Sequence, residues 1–282
     1  MQRTHAEPRS SRRKEVILSD SHSYKLLISL ACCAWLYSAS AGSQTNDFKY
    51  YLLAPLKVHL LTAKNSPMIQ TTLTETDFDR ILAKINGVWA QAGLHFYIQS
   101  IGQEEVNEPE KWADPGRPPE GIKLLQLRPR ASLATNAFHI YYLKKMSVNG
   151  IYFPEGIFVK DTAALRDVDG GIDEPLPRVS SHELGHALGL SHRQNTTNLM
   201  ASGTTGIWLN EEEISQARNT ARKLDWIVPA PELMTRADAL FQQGKLSEAK
   251  AFYSRAATLP LRADEVEVAK KRLAEITHNH SD

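Results

Sequence analysis

The chain has 282 residues, enough for one medium domain and a small module. It is 42% apolar and 23% charged, the balance of an ordinary globular protein, which excludes a disordered or fibrous chain. A net charge of +1 gives no bulk attraction to nucleic acid or to an anionic membrane, so neither is an expected partner.

Residues 1–25 are polar and basic, with Arg3, Arg9, Arg12, Arg13, Lys14 and Lys25. An apolar run from Leu26 to Tyr37 follows, and then Ala39-Ser40-Ala41. A basic region, an apolar core and an A-x-A site together predict a secretory signal peptide over residues 1–41, cleaved after Ala41. The alternative is an uncleaved anchor, although the run is short for a full span. The expected location is outside the cytoplasm: secreted, periplasmic or at the cell surface. Contact with a membrane is expected only if the segment stays attached. The two cysteines, Cys32 and Cys33, both fall inside this segment. The mature chain therefore has neither disulfides nor thiol chemistry.

Pro55 to Leu61 reads as a first strand. Over Thr76–Ala92 the apolar residues Phe78, Ile81, Leu82, Ile85, Val88, Trp89 and Ala92 recur at helical spacing, Gly93 ends the helix, and Leu94–Ile98 begins a strand. Residues 102–121 are rich in Pro, Gly and Glu and predict an exposed loop. Ala137–Leu143 is a continuous apolar and aromatic run, hence a buried strand, in which His139 is a packed residue rather than a ligand. His59 and His95 have the same reading. Gly150–Val159 predicts a strand or hairpin at the sheet edge, where Pro154 is tolerated. Asp167, Asp169 and Asp173 surround Gly170 and Gly171. They form either a solvated turn or a calcium site, since calcium takes carboxylate oxygens.

The segment His182-Glu183-Leu184-Gly185-His186-Ala187-Leu188-Gly189-Leu190-Ser191-His192 reads H-E-x-x-H-x-x-G-x-x-H. Four-residue spacing on a helix puts His182 and His186 on one face, one turn apart, where both can reach one ion. Gly189 can adopt the left-handed conformation that turns the chain, so that His192 approaches from off the helix. Three imidazoles leave a fourth position for water, which is the pattern of a catalytic zinc site. Glu183, about 100° round the helix from the first ligand, can stand beside the ion as a general base. A bare H-E-x-x-H arises by chance in roughly one chain in a hundred of this length, and the added Gly and His make it on the order of a thousandfold rarer.

These residues resemble the metzincin clan of zinc metallopeptidases. Met200, in Asn198-Leu199-Met200-Ala201, looks like the methionine of the Met-turn, which packs beneath the histidines without ligating zinc. Ser202 stands where some of the clan carry a ligating tyrosine, so the site resembles the matrixin branch, with three histidines and water. The resemblance spans about residues 55–225 and includes the first long helix. It implies an α/β (α+β) zincin-like domain with a twisted mixed sheet and an active-site helix, whose edge strand pairs with substrate backbone. Matrixins also bind calcium, and many are kept latent by a propeptide cysteine, for which no segment is present. Leu209–Ile214 resembles the start of the last matrixin helix; Asn210 is a good N-cap and Glu213 stands at the capping-box position.

Val228-Pro229-Ala230-Pro231 reads as a short stiff linker. Beyond it, Ala237, Leu240, Gly244, Glu248, Ala249, Tyr253 and Ala256 resemble one tetratricopeptide repeat, with a plain helical hairpin as the alternative. Asp264 to Ile276 adds one further helix. One repeat cannot bury its own face, so it must dock on the catalytic domain or on a protein partner. The expected organisation is a signal peptide (1–41), a zinc metallopeptidase domain (42–227) and a helical hairpin (228–282). The expected function is a zinc endopeptidase acting on proteins or peptides, with Glu183 as base, His182, His186 and His192 as ligands, and one Zn²⁺ with Ca²⁺ as a second candidate ion. The alternatives are a catalytically silent zinc protein acting through its C-terminal helices, and a zinc hydrolase of a non-protein amide.

Overall fold

A central strand that is apolar on both faces organises the molecule. In the computed structural model, which describes residues 48–113, 119–129, 136–259 and 263–278, β1 (Leu52–Thr62) is buried along nearly its whole length. Such a strand needs a parallel neighbour on each side and a covered layer on each face. β2 (Leu94–Glu105) and β3 (Phe138–Leu143) flank it in parallel. β5 (Gly156–Lys160) continues in parallel on β3, and β4 (Gly150–Phe153) returns antiparallel as the outer strand. The order is β2-β1-β3-β5-β4, a mixed α/β arrangement of the expected class. The signal-peptide segment 1–41 lies outside the described residues. Among the described residues no helix is long and apolar enough to cross a membrane.

β1 starts three residues earlier than its sequence suggests. Leu52 and Leu53 pair with β2 and also with β6 (Val228–Pro229). Pro55 occupies the gap between the β6 pairing at Leu53 and the β3 pairing at Leu56, where its missing N–H costs no ladder bond. Alternation along β1 then divides the core. Leu52, Ala54, Leu56, Val58 and Leu60 face a cluster with α1 (Asp77–Trp89), while Leu53 and Leu61 face the opposite side. β2 is also longer than expected and takes up residues 102–105; the exposed loop is therefore shorter, and α2 (Glu110–Ala113) and α3 (Glu120–Leu127) interrupt it.

The helix α1 buries Phe78, Ile81, Ile85, Val88 and Trp89 and tightens into a 3₁₀ turn over Ala90–Ala92. Gly93 ends it with φ 57°, and a Cβ there would strike the Arg218 guanidinium and the Phe48 ring. The cleft helix α4 (Pro175–Ala187) lies on the same sheet face. Tyr142 of β3 anchors it, with its hydroxyl 2.6 Å from the Ser180 Oγ. α5 (Glu211–Ala221) opens on a capping box in which Asn210 and Glu213 satisfy each other's backbone N–H groups, as expected.

The segment Val228–Pro231 is not a free linker. Val228–Pro229 forms β6, and the Ala230 N–H donates to the Tyr51 carbonyl as α6 (Ala230–Gln242) begins. α7 (Leu246–Thr258) and α8 (Ala263–His278) complete three helices, with Gly244 at φ 72° in the first turn. Leu233, Ala237, Ala249, Tyr253 and Ala256 share a core with Leu53 and Val228. The guanidinium of Arg255 stacks 4.2 Å from the Tyr97 ring on β2. The helices thus dock on the sheet face opposite α4.

Arg218 ties α5 to the end of α1 by donating to the carbonyls of Ala92 (2.8 Å) and Gly93 (2.9 Å). Arg218→Met keeps the aliphatic stem and removes these charge-assisted bonds. The expected loss is about 2 kcal/mol of stability, read as a lower urea midpoint at unchanged slope; an unchanged midpoint would show that the clamp contributes nothing.

Candidate metal centre

The helix α4 carries His182 and His186 one turn apart, with Leu184 and Leu188 fully buried on its core side. It begins six residues before Ser181, with Pro175 in its first turn, where a missing N–H is harmless. At its other end the Leu190 N–H donates to the Gly185 carbonyl (2.8 Å) and the Gly189 N–H to the His186 carbonyl (2.9 Å). Gly189 sits at φ 87°. This is the Schellman turn, and it needs a left-handed residue at that point. The chain reverses there and brings His192 back over the helix.

The three Nε2 atoms converge. His182 and His186 are 3.2 Å apart, His182 and His192 3.2 Å, and His186 and His192 3.1 Å. Nitrogens bound tetrahedrally at about 2.0–2.1 Å would lie roughly 3.3–3.4 Å apart. On two of the rings the opposite nitrogen is already committed: His182 Nδ1 donates to the Leu199 carbonyl and His186 Nδ1 to the Leu190 carbonyl, both at 2.8 Å. That fixes the tautomer and aims the Nε2 lone pairs at one point. Burial pushes the His182 imidazolium down to about 3, with Arg178 adding to the effect, and burial also lowers His186. Burial thus favours the neutral form of these two rings, the form a ligand needs. Among the described residues this trio alone brings three such ligand atoms within 4.8 Å of one another, so it can accept a metal ion.

Met200 lies fully buried under this trio. A Cβ added to Gly185, the residue before His186, would stand 2.5 Å from its Sδ. The loop that carries it is tied down from several sides. Asn198 Oδ1 accepts the Met200 N–H (2.6 Å), and Asn198 Nδ2 donates to the Glu213 carboxylate (2.8 Å). The same buried carboxylate accepts from Arg193 Nε (2.7 Å) and the Asn210 N–H (2.9 Å). Arg178, one turn before His182, donates through Nε to the Gly206 carbonyl (3.0 Å) and through Nη2 to those of Ala201 (2.5 Å) and Asn198 (3.4 Å).

Glu183 lines the same cleft of about 720 Å³ and is 5% exposed. Burial pushes its carboxyl up to about 8, against the opposing pull of the Arg178 guanidinium. Its Oε1 lies 2.6 Å from where a Cβ on Gly150 would stand, so the carboxylate rests against the start of the edge strand β4. Gly150 and Arg178 are site residues that sequence reasoning missed. Nothing in the local pattern distinguishes Gly150 from a turn glycine or Arg178 from a surface arginine. Ser202 is exposed at the cleft rim.

The carboxylates of Asp167, Asp169 and Asp173 are not gathered. All three are exposed, and Asp173 Oδ1 pairs with Lys84 Nζ at 2.6 Å. His59 and His139 are buried strand residues, as expected, with His59 Nε2 2.9 Å from His139 Nδ1 and His59 Nδ1 2.8 Å from Glu104. Burial lowers His95 to about 4.

The Gly185–Met200 contact generates a prediction. Gly185→Ala forces the buried thioether aside, at an expected cost of about 1–3 kcal/mol to the apoprotein. It should also weaken divalent-metal retention in a chelator competition. A variant as stable and as metal-retentive as wild type would mean that Met200 supports nothing.

No family model and no curated protein matches the chain. Among solved structures it is similar to archaemetzincin from Methanopyrus kandleri, at 13% identity and a TM-score of 0.40, over 60% of this chain and 96% of that one. It is also similar to a mutant of promirolysin from Tannerella forsythia, at 13% identity and a TM-score of 0.42, over 63% of this chain and 82% of that one.

Proposed function

We propose that the chain is an exported zinc-dependent endopeptidase of matrixin-like type, with His182, His186 and His192 as its zinc ligands and Glu183 as its general base. One observation carries the reading: three imidazole Nε2 atoms converge on one point in a cleft that also holds the buried Glu183 carboxyl. Zinc bound there supplies a Lewis acid that polarises a carbonyl and acidifies water. Glu183 takes the proton from the attacking water and delivers it to the leaving amine, so the carboxylate returns to its starting state. The outer strand β4 has one edge unpaired among the described residues and offers its backbone N–H and C=O groups to an extended peptide. Met200 serves as the packing residue beneath the ligands, and no tyrosine follows it at Ser202.

In this reading residues 1–41 direct export, 42–227 carry the catalytic site and 228–282 form a tetratricopeptide-like helical module that is available to a protein partner. The test is to purify the exported chain, measure bound zinc and follow casein hydrolysis with and without a chelator. Zinc near one equivalent and chelator-sensitive, zinc-restorable cleavage are expected. Glu183→Gln should retain zinc while kcat falls by about 10²–10⁴-fold. Equal activity in the variant and wild type would refute the role of Glu183. Zinc binding without cleavage of any peptide would refute the peptidase.

A further inference from the structure

Arg178 is 2% exposed, and no described carboxylate is ion-paired with it. Its three hydrogen bonds engage Nε and Nη2 only, all to backbone carbonyls. These bonds hold the loop after Met200, but carbonyl dipoles do not cancel a full charge. The nearby Glu183 carboxyl offsets part of the burial cost without forming an ion pair, and a neutral amide could hold the same loop at lower cost. Arg178 nevertheless lines the cleft, where it is the one permanently charged cation among the described lining residues. Its Nη1 makes no hydrogen bond among the described residues, so one edge of the planar fork is left to meet an acceptor from the cleft.

The position of that edge follows from the helix and the edge strand. Arg178 precedes His182 by one turn of α4, and its neighbour Val179 lies against Gly150, the first residue of β4. Leu165, Ser202 and Gly203 complete the wall on this side. A peptide that adds to β4 in the antiparallel sense runs from Phe153 toward Gly150. Residues after the scissile bond would then lie on the Gly150 side, where Val179 and Arg178 line the cleft.

We propose that Arg178 is the specificity-determining residue of the cleft and that it selects substrates with a carboxylate side chain, aspartate or glutamate, immediately after the scissile bond. The inference rests on the peptidase reading above. The substrate carboxylate meets the Nη1 edge that no described residue hydrogen-bonds, and a charge-assisted bond formed in a water-poor pocket is stronger and more selective than a neutral one. Glutamine in the same place keeps the shape and loses the charge. Leucine leaves the buried cation without an acceptor.

The test uses three peptides that are identical except for Glu, Gln or Leu at that position. The zinc-loaded wild-type chain is assayed for kcat/KM, and the zinc-loaded Glu183→Gln chain for affinity by fluorescence anisotropy. Glu is expected to exceed Gln and Leu by on the order of ten- to a hundredfold in both measurements. Arg178→Gln keeps amide donors for the loop carbonyls while removing the charge. It should collapse the Glu-over-Gln ratio in both binding and kcat/KM whatever happens to overall turnover, whereas a merely structural role would lower all three peptides together and leave that ratio unchanged. Equal binding of the three peptides, or a preference for Leu, overturns the inference whatever the turnover. Preferential binding of the Glu peptide with no cleavage of any overturns the peptidase reading and leaves the Arg178 assignment standing.

Discussion

Three imidazole nitrogens held within 3.2 Å of one another form a site that a single cation can bridge. The local architecture is organised around sustaining that arrangement. Two carbonyls fix the His182 and His186 rings, a left-handed glycine returns His192, and a fully buried thioether fills the space below. Each support is itself braced. The Leu199 carbonyl that holds His182 belongs to the loop that Asn198, Glu213 and Arg178 secure. Preorganisation of this kind spends folding energy so that binding an ion requires no rearrangement.

The same economy explains why the neighbourhood of the cleft is rich in buried polar groups. Glu213, Asn198 and Arg178 are all below one-tenth exposed, yet each has several hydrogen-bond partners. Glu213 shows the logic clearly: one carboxylate caps its own helix, receives Arg193 from the returning chain and holds Asn198 of the Met200 loop. The N-terminus of α5 and the loop beneath the histidines are therefore one mechanical unit rather than adjacent pieces.

Much of this was legible in the sequence because it depends on short-range spacing. The four-residue separation of the helical histidines, the turn glycine and the Asn210–Glu213 cap are local codes, and the structure has each of them. So are the buried run Ala137–Leu143, found as β3, and the edge strand or hairpin Gly150–Val159, found as β4 and β5. What stayed illegible depends on chain segments far apart in sequence. The longer β1 is set by pairing with β6, about 175 residues away, as the register Leu53 to Val228 shows. Gly150 matters only because Glu183 and Val179 approach it, and Arg178 only because three carbonyls from residues 198–206 surround it. The linker expected at Val228–Pro231 failed for the same reason: a Val-Pro pair reads as a spacer until a partner strand is known.

β6 also bears on where the molecule can be divided. Its two residues close the early end of β1, and the helices behind it cover Leu53 and seat Arg255 on Tyr97. A fragment ending at residue 227 would bare an apolar face of the central sheet and leave Leu52 and Leu53 without their outer neighbour. Such a fragment would be inclined to self-associate through that surface. Loss of activity on truncation would then report a damaged scaffold rather than a missing recognition module, and proteolytic trimming near residue 228 would shorten the protein's lifetime without touching the cleft.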